Sequence, residues 1–246
     1  MLNHPFIFLS ITAIVICLIG LSKGGFGGTA GSLATPLMAL VMPANEVIGL
    51  LLPVLIIADI FAVTSHWQRW DRKLALLLLP GALVGVVLGT FFITHVAPLV
   101  LRQALGIIAI LFSVYRLFEQ TILGMIKYRA YRWHGIAAGT LAGFSSTLAH
   151  TGGPPITIYL LMQEMTPRVF IATSALFFFV LNWLKVPFYF YAGQFDFNLI
   201  GRIAWLFPLL PLSVWVGKWA AAKINKVVFD RIIIFFLAVS GILLLV

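Results

Sequence analysis

Apolar runs about as long as a membrane-spanning helix follow one another along nearly the whole sequence, and short polar turns separate them. A helix needs about 20 apolar residues to cross the hydrocarbon core of a bilayer. Of the 246 residues, 62% are hydrophobic and 9% are charged, and the mean hydropathy is +1.09. This usage lies far outside that of soluble domains. The sequence therefore predicts an all-α polytopic membrane protein with roughly eight to ten hydrophobic segments and no soluble domain.

The segments separate at turn and charge signals. The first one has no Lys or Arg before it and no convincing cleavage site after it, so we expect it to be retained rather than removed as a signal peptide. The predicted segments are Pro5–Ser22, Thr29–Met42, Val47–His66, Leu74–Thr94, Leu99–Phe118, His134–Ser145, Gly153–Met162, Val169–Phe190, Leu199–Ala222 and Val227–Val246.

Two stretches interrupt the apolar sequence with small, hydroxylated and helix-breaking residues: the first break, Gly20–Thr29, and the second break, Gly143–Pro154. Irregular backbone at membrane depth is tolerated only where it is buried in protein or lines a cavity, because its polar groups cannot be left in hydrocarbon. The helix ends beside such a break present free N–H groups, which attract anions. The two breaks are therefore the predicted working centre.

The two breaks belong to two halves of the chain in which the order of segment lengths repeats. An offset of 123 residues pairs Gly20 with Gly143, Ser22 with Ser145, Met42 with Met165, Ile48 with Ile171 and Asp59 with Asn182. We interpret residues 1–119 as an N-terminal membrane repeat, 120–132 as a basic cytoplasmic connector and 133–246 as a C-terminal membrane repeat.

Charge predicts that the halves are inverted relative to each other. The loop 67–73 and the connector are rich in Lys and Arg, which favours the cytoplasmic side for both. In the second half the loop equivalent to 67–73 has neither residue, whereas 218–231 carries four. Inversion requires an odd number of crossings per repeat, so each repeat is predicted to be a glycine-broken helical hairpin followed by three transmembrane helices. The alternative is a broken helix that spans the membrane.

The predicted substrate ligands are the glycines, hydroxyls and titratable groups of the two breaks. The hydroxyls either bind substrate or serve close helix packing, and the glycines either touch substrate or only allow the bend. These residues are Ser22, Lys23, Gly24, Gly25, Gly27, Gly28, Ser145, Ser146, Thr147, His150, Thr151, Gly152 and Gly153.

The charged candidates each have two interpretations. Lys23 either binds an anion in a water-filled cavity or reaches a membrane interface, and His150 either carries a proton or packs. Asp59 is the one acid in the middle of an apolar segment, so it either takes up a proton or pairs with a cation such as Lys23. Together with Asn182 and Lys185 it forms the predicted coupling group, although Lys185 has the alternative of snorkelling outward.

Other classes of function find little support in the sequence. One cysteine allows no internal disulfide, and the five His residues lack metal-ligand spacing, so no metal or cofactor is expected. The net charge of +9 is explained by orientation in the membrane rather than by nucleic acid. The first break lacks the Gly-Lys-Ser/Thr order of residues that is typical of a phosphate-binding loop. Ser145 and His150 have no evident third residue for hydrolysis, so no catalytic residue is assigned.

The glycine clusters, the length and the two similar halves resemble the sulfite exporter TauE/SafE family of membrane transporters. The resemblance rests on Gly24, Gly25, Gly27 and Gly28 after the first segment, and on Gly152-Gly153-Pro154, followed by Pro155, after the midpoint. It implies export or uptake of small sulfur-containing anions such as sulfite, sulfonates or sulfoacetate. Lys23 departs from the simple glycine cluster of that family.

The expected function is secondary transport of such an anion by alternating access, in the cytoplasmic membrane of a bacterium. The expected partners are the anion, the lipid bilayer and a coupling ion, either a proton or sodium, without nucleic acid. The alternatives are an anion channel built on the same centre and an intramembrane hydrolase that uses Ser145.

Overall fold

The computed structural model describes residues 5–26, 29–125, 130–221 and 223–246, and in these residues the protein is built of helices without a strand. A kinked turn, Ser22–Phe26, with non-helical backbone at Gly25, follows the first helix, and a 3₁₀ turn, Ala204–Leu206, follows the tenth. The α-helices are α1 Pro5–Leu21, α2 Thr29–Ser32, α3 Ala34–Ala39, α4 Ala44–Ser65, α5 Arg72–His95, α6 Pro98–Met125, α7 Arg132–Ala149, α8 Gly153–Leu161, α9 Pro167–Tyr191, α10 Phe197–Ile203, α11 Leu209–Ala221 and α12 Lys226–Leu245.

The described helices confirm the prediction of an all-α polytopic membrane protein. Six of them are long and apolar enough to cross a bilayer, and α10 with α11 makes a seventh span if that bent pair counts as one. The central span is α4, in which 67% of the most apolar window is buried, against 33–39% in the other single-helix spans. The spans around α4 therefore bury a smaller share of their side chains inside the protein than α4 does.

Each break folds the chain into a hairpin. The Oγ1 of Thr12, in the middle of α1, lies 3.8 Å from the Sδ of Met38 on α3, so α3 runs back beside α1. In the second half, Gly135 near the start of α7 lies against the ring of Tyr159 on α8. With nine residues, α8 is about 14 Å long, half the thickness of the hydrocarbon core. The predicted hairpins are thus present as helix pairs that fold back on themselves.

Three predicted segments differ from the observed helices. The segment Leu199–Ala222 is interrupted after Leu206, and its two parts are bent by 50° beside Pro208, which has no N–H to continue a helix. The segment Thr29–Met42 is divided at Leu33, with Pro36 in the first turn after the division. The interval 120–132 is partly helical, because α6 continues through Met125 and α7 begins at Arg132.

Helices of different halves meet along seams of small residues. A Cβ added to any glycine of these seams would collide with a neighbouring helix, so the glycines permit a close approach that larger residues prevent. The α5–α7 seam consists of Gly81, Gly85 and Gly89 opposite Gly135, Gly139 and Gly143, and the α1–α11 seam consists of Gly20 and Gly24 opposite Ser213 and Gly217.

Two further contacts between the halves bring together helices that occupy equivalent positions in the predicted repeats. The central helix α4 packs against α9, and α6 packs against α12 at the periphery. The hairpins at the two breaks lie beside the α4–α9 pair. This arrangement carries the polar residues of both breaks to the buried middle of the protein.

Candidate functional site

The centre of the site is a hydrogen bond between α4 and α9. Asp59 is fully buried, and its Oδ2 accepts a hydrogen bond of 2.6 Å from the Nδ2 of Asn182, which is also buried. These residues are the pair that the repeat alignment placed 123 positions apart. A buried carboxylate needs partners for both oxygens, because burial of an uncompensated charge is costly. Asn182 satisfies one oxygen, and the first break supplies the partner of the other.

Lys23 forms an ion pair with Asp59 and joins the first break to the centre. Its Nζ lies 2.5 Å from Asp59 Oδ1, and its side chain is 22% exposed. The same ammonium lies 5.7 Å from the ring centroid of Phe178 on α9, within the range of a cation–π contact. Lys23 therefore points inward to the α4–α9 pair, and the charge of Asp59 is balanced by one cation.

Lys185 lies one turn after Asn182 on α9 and is fully buried, so it does not snorkel to an interface. Its Nζ donates to the backbone oxygen of Ser146 at 3.2 Å, to Ser146 Oγ at 3.1 Å and to His150 Nδ1 at 3.1 Å. Within the described residues, no carboxylate forms an ion pair with it. Lys185 is thus a buried amine whose three partners are a carbonyl, a hydroxyl and an imidazole.

His150 connects the second break to the first half of the protein. It ends α7 in the left-handed conformation, with φ of 54°, where glycine is the usual residue. Its Nε2 lies 3.1 Å from the carbonyl oxygen of Ile48 on α4. With Lys185 donating to Nδ1, Nε2 carries the ring proton and donates to that carbonyl. The contact fixes one imidazole tautomer and links α4 to the second break.

Two more side chains complete the second break. The hydroxyl of Tyr189, one turn after Lys185, donates a 2.6 Å hydrogen bond to the carbonyl of Thr147. Thr147 Oγ1 in turn bonds to the carbonyl of Gly143 within α7. Thr151 Oγ1 is buried and has no hydrogen-bond partner among the described protein groups. It is an unpaired buried hydroxyl within the second break.

Comparison with known families decides what kind of protein carries this centre. The sequence model of the sulfite exporter TauE/SafE family matches residues 12–244, nearly the whole chain. The chain belongs to the sulfite exporter TauE/SafE family. Proteins of this family are membrane transporters of sulfite-like anions, so the TauE/SafE protein described here is a multi-pass membrane transporter rather than a member of an enzyme family. No curated protein and no solved structure shows a significant match to the chain.

The TauE/SafE centre does not include every residue that the sequence singled out. Ser145 Oγ donates to the backbone oxygen of Leu141 at 2.8 Å, and the backbone oxygens of Ala142 and Thr151 lie at 3.4 and 3.3 Å from it, so it stabilises the bend of the second break. Both ring nitrogens of His150 have other partners, so Ser145 and His150 form no hydrolase pair. The sequence predicts Ser145 as a substrate ligand, whereas its hydroxyl already forms a hydrogen bond to the backbone of the second break.

The glycines of the two breaks lie mainly against neighbouring helices. Gly24 and Gly25 contact the backbone or side chains of α11, and Gly152 lies close to Ala142 and Ser146 of its own hairpin. Gly153 has free space on its Cα, with one ring atom of Phe112 at 3.9 Å from an added Cβ. Ser22 is buried against Gly31 of α2. The predicted ligands Gly27 and Gly28 lie outside the described residues.

The sequence interpretation did not select Phe178 and Tyr189, which contact Lys23 and the second break. A helical spacing was available as a signal, because Phe178, Asn182, Lys185 and Tyr189 follow one another at four, three and four residues on one face of α9. The carbonyl of Ile48 was also missed, since backbone acceptors leave no pattern in a sequence.

Proposed function

We propose that this TauE/SafE protein is a secondary transporter that carries a small sulfur-containing anion, of the sulfite, sulfonate or sulfoacetate class, across the bacterial cytoplasmic membrane by alternating access. The observation that carries the proposal is the environment of Lys185, a fully buried amine with neutral partners in the middle of a membrane protein. A cation in this position costs several kcal/mol unless a negative charge accompanies it. A bound anion supplies that charge.

The groups around Lys185 suit an oxyanion. Thr151 Oγ1 is an unused buried donor, and the hydroxyl of Ser146 already lies 3.1 Å from the amine. An ammonium and an oxyanion attract each other far more strongly in a site of low dielectric constant than in water. Lys23 adds a second cation across the α4–α9 pair, although Asp59 balances it. The site therefore combines one uncompensated cation with hydroxyl donors, and the family narrows the anion to sulfur-containing acids.

The packing of the two halves supports an inverted-repeat transporter. If residues 1–119 and 133–246 are related by a two-fold axis, each contact between unlike helices must occur twice. The α5–α7 seam has such a counterpart in the α1–α11 seam, and the mates Asp59 and Asn182 contact each other at the centre. Transporters of this architecture bind substrate at the interface of the repeats and move one repeat against the other.

Two sets of polar contacts between the breaks and the central helices act as the gates of this mechanism. The first break is held by the ion pair of Lys23 with Asp59, and the second by the hydrogen bonds of Lys185 with Ser146. Lys23 and Ser146 occupy equivalent positions, since they are also 123 residues apart. When one set of contacts breaks while the other stays intact, the centre is exposed to one side of the membrane at a time. The driving force is an ion gradient or the gradient of the substrate itself.

The test is transport by purified protein in sealed liposomes. A panel of sulfite, sulfate, methanesulfonate and acetate is offered with and without the same anion trapped inside. We expect saturable uptake of the sulfur-containing monoanions and stimulation by trapped substrate, because a carrier exchanges substrate across the membrane. Uptake without such stimulation, together with unitary currents, would identify a channel. No uptake of any sulfur-containing anion would refute the proposal.

A matched pair of variants assigns the transport to the buried amine. Lys185→Met removes the ammonium and keeps most of the apolar side chain, so we expect substrate affinity to fall at least tenfold, because the buried anion then lacks the cation that balances its charge. Lys218→Met is the control, because Lys218 lies exposed on α11 and its ammonium donates to the hydroxyl of Ser65. Equal affinity in both variants would remove Lys185 from the substrate site.

A further inference from the structure

We propose that Lys185 is the proton-carrying group of this transporter: its amine takes up one proton together with one monovalent anion and releases both on the other side, so that transport is an electroneutral proton–anion symport. The inference rests on the proposed function, and it adds the coupling ion, its stoichiometry, its carrier residue and the charge of the substrate. It follows from the charge balance of the centre and from the hydrogen-bond chemistry of the cage around Lys185.

The charge balance leaves one ammonium without a counter-ion. Lys23 and Asp59 form an ion pair, and Asn182 occupies the second oxygen of that carboxylate. Lys185 has no carboxylate partner among the described residues. With Lys185 protonated, the centre therefore carries one net positive charge, which a single monoanion neutralises. With Lys185 deprotonated, the centre is neutral without an anion.

The cage around Lys185 can hydrogen-bond the amine in both protonation states. An ammonium donates three bonds, and the carbonyl of Ser146, the hydroxyl of Ser146 and Nδ1 of His150 all accept. A neutral amine donates two bonds and accepts one. The carbonyl and Nδ1 accept these two bonds, and the hydroxyl of Ser146 rotates to donate to the nitrogen lone pair. In each state every hydrogen of the nitrogen, and its lone pair when the amine is neutral, has a partner in the cage, so the proton can leave without disrupting the site.

The groups that face Lys185 from the neighbouring elements do not replace it as the carrier. His150, at the end of α7, has its ring proton directed to the carbonyl of Ile48. Asp59, on α4, and Lys23, in the first break, act on Lys185 with opposite charges and neutralise each other. Tyr189, on α9 itself, donates to a backbone carbonyl. The lysine is the group whose charge has no fixed partner.

The cycle follows from these two states. With the centre open to one side, an anion binds and Lys185 takes up a proton, because the paired charges stabilise each other in a site of low dielectric constant. The loaded centre is neutral and crosses without moving net charge. After release of the anion the lone ammonium is unstable, so the proton leaves on the same side and the neutral amine returns. The direction of net transport is set by the sum of the anion and proton gradients.

The test uses wild-type protein in liposomes that contain a pH-sensitive dye, with methanesulfonate as the probe. Methanesulfonate is the anion of a strong acid and stays a monoanion at every working pH, so it brings no proton of its own. We expect one proton to enter with each anion. An interior more alkaline by one pH unit should raise the final ratio of internal to external anion about tenfold, and an imposed potassium diffusion potential should leave the uptake rate unchanged.

Several results would overturn the inference while the proposed function stands. These are methanesulfonate uptake without acidification of the interior, uptake driven by the membrane potential, and uptake of sulfite by vesicles that reject methanesulfonate. Failure of every sulfur-containing anion to enter would instead refute the proposed function, and the inference with it. The wild-type protein alone thus decides the coupling.

A charge-preserving variant assigns the proton to Lys185. Lys185→Arg keeps a cation that does not deprotonate, so we expect exchange of internal for external methanesulfonate to persist and the tenfold accumulation to disappear. Lys218→Arg, at an exposed site, should keep both activities. The melting temperature of each preparation shows whether it is folded. A folded Lys185→Arg or Lys185→Met protein that accumulates methanesulfonate like the wild type would overturn the assignment.

Discussion

The ion pair between Lys23 and Asp59 makes a quantitative prediction about stability. Asp59→Asn keeps the shape of the side chain and a hydrogen bond to Asn182, but it leaves the ammonium of Lys23 without a counter-ion. Removing one partner of a buried ion pair costs about 3–5 kcal/mol. Because the side chain of Lys23 is 22% exposed, we expect the lower end of this range, about 3 kcal/mol. For a protein of this size the melting temperature should then fall by roughly 6–12 °C.

A double variant separates the ion pair from other effects of the substitution. In Lys23→Met/Asp59→Asn no unpaired charge is left, so the double variant should be more stable than the sum of the single changes predicts, by a coupling energy of at least about 2 kcal/mol. Melting is followed in detergent by the fluorescence of the seven Trp residues. Asp71→Asn is the control, because Asn also caps a helix well and Asp71 caps α5. Additive losses in the double variant would refute the coupling and the inward position of Lys23.

Three further predictions concern the rest of the structure. The first uses single cysteines introduced at Gln68 and Tyr191, both exposed, in a protein that lacks its native cysteine. If the repeats are inverted, the two cysteines should react with a membrane-impermeant reagent from opposite sides of the membrane. Labelling of both from the same side contradicts inversion. Gly139→Ala should lower stability by about 1–3 kcal/mol through overpacking, whereas Gly201→Ala, in open space, should be neutral in the same melting assay. Tyr189→Phe should cost about 1–2 kcal/mol, and an unchanged melting temperature would show that its hydrogen bond contributes nothing.

The sequence was sufficient to predict the helical architecture, because membrane helices are specified by long apolar runs and by the polar turns between them. It also paired Asp59 with Asn182 through the repeat offset, and the two residues are in contact. If the two halves are related by the proposed two-fold axis, residues near that axis meet their own counterparts, which makes a contact of this kind predictable. The bend beside Pro208 was also readable from local chemistry, although the segment was interpreted as continuous.

The partners of the polar side chains could not be predicted in the same way. Lys185 was assigned to coupling from its spacing to Asn182, but its bonds to Ser146 and His150 depend on how α7 and α9 rotate and approach each other. Helix rotation is fixed by packing along whole interfaces, and no single residue reports it. Ser145 and Ser146 are adjacent and chemically identical, yet one hydroxyl stabilises the bend and the other faces the buried amine.

The α1–α11 seam has a consequence for the biogenesis of the protein. The ribosome makes α1 before α11, so Gly20 and Gly24 lack their partner helix while the helices between them are made and inserted. Helix α5, in contrast, meets α7 after the next helix and connector have been made. The first hairpin therefore gains its packing partner only after α11 has been inserted. A chain that stops before Leu209 leaves an unpaired glycine face in the bilayer, which is a signal by which membrane quality control can distinguish incomplete from complete molecules.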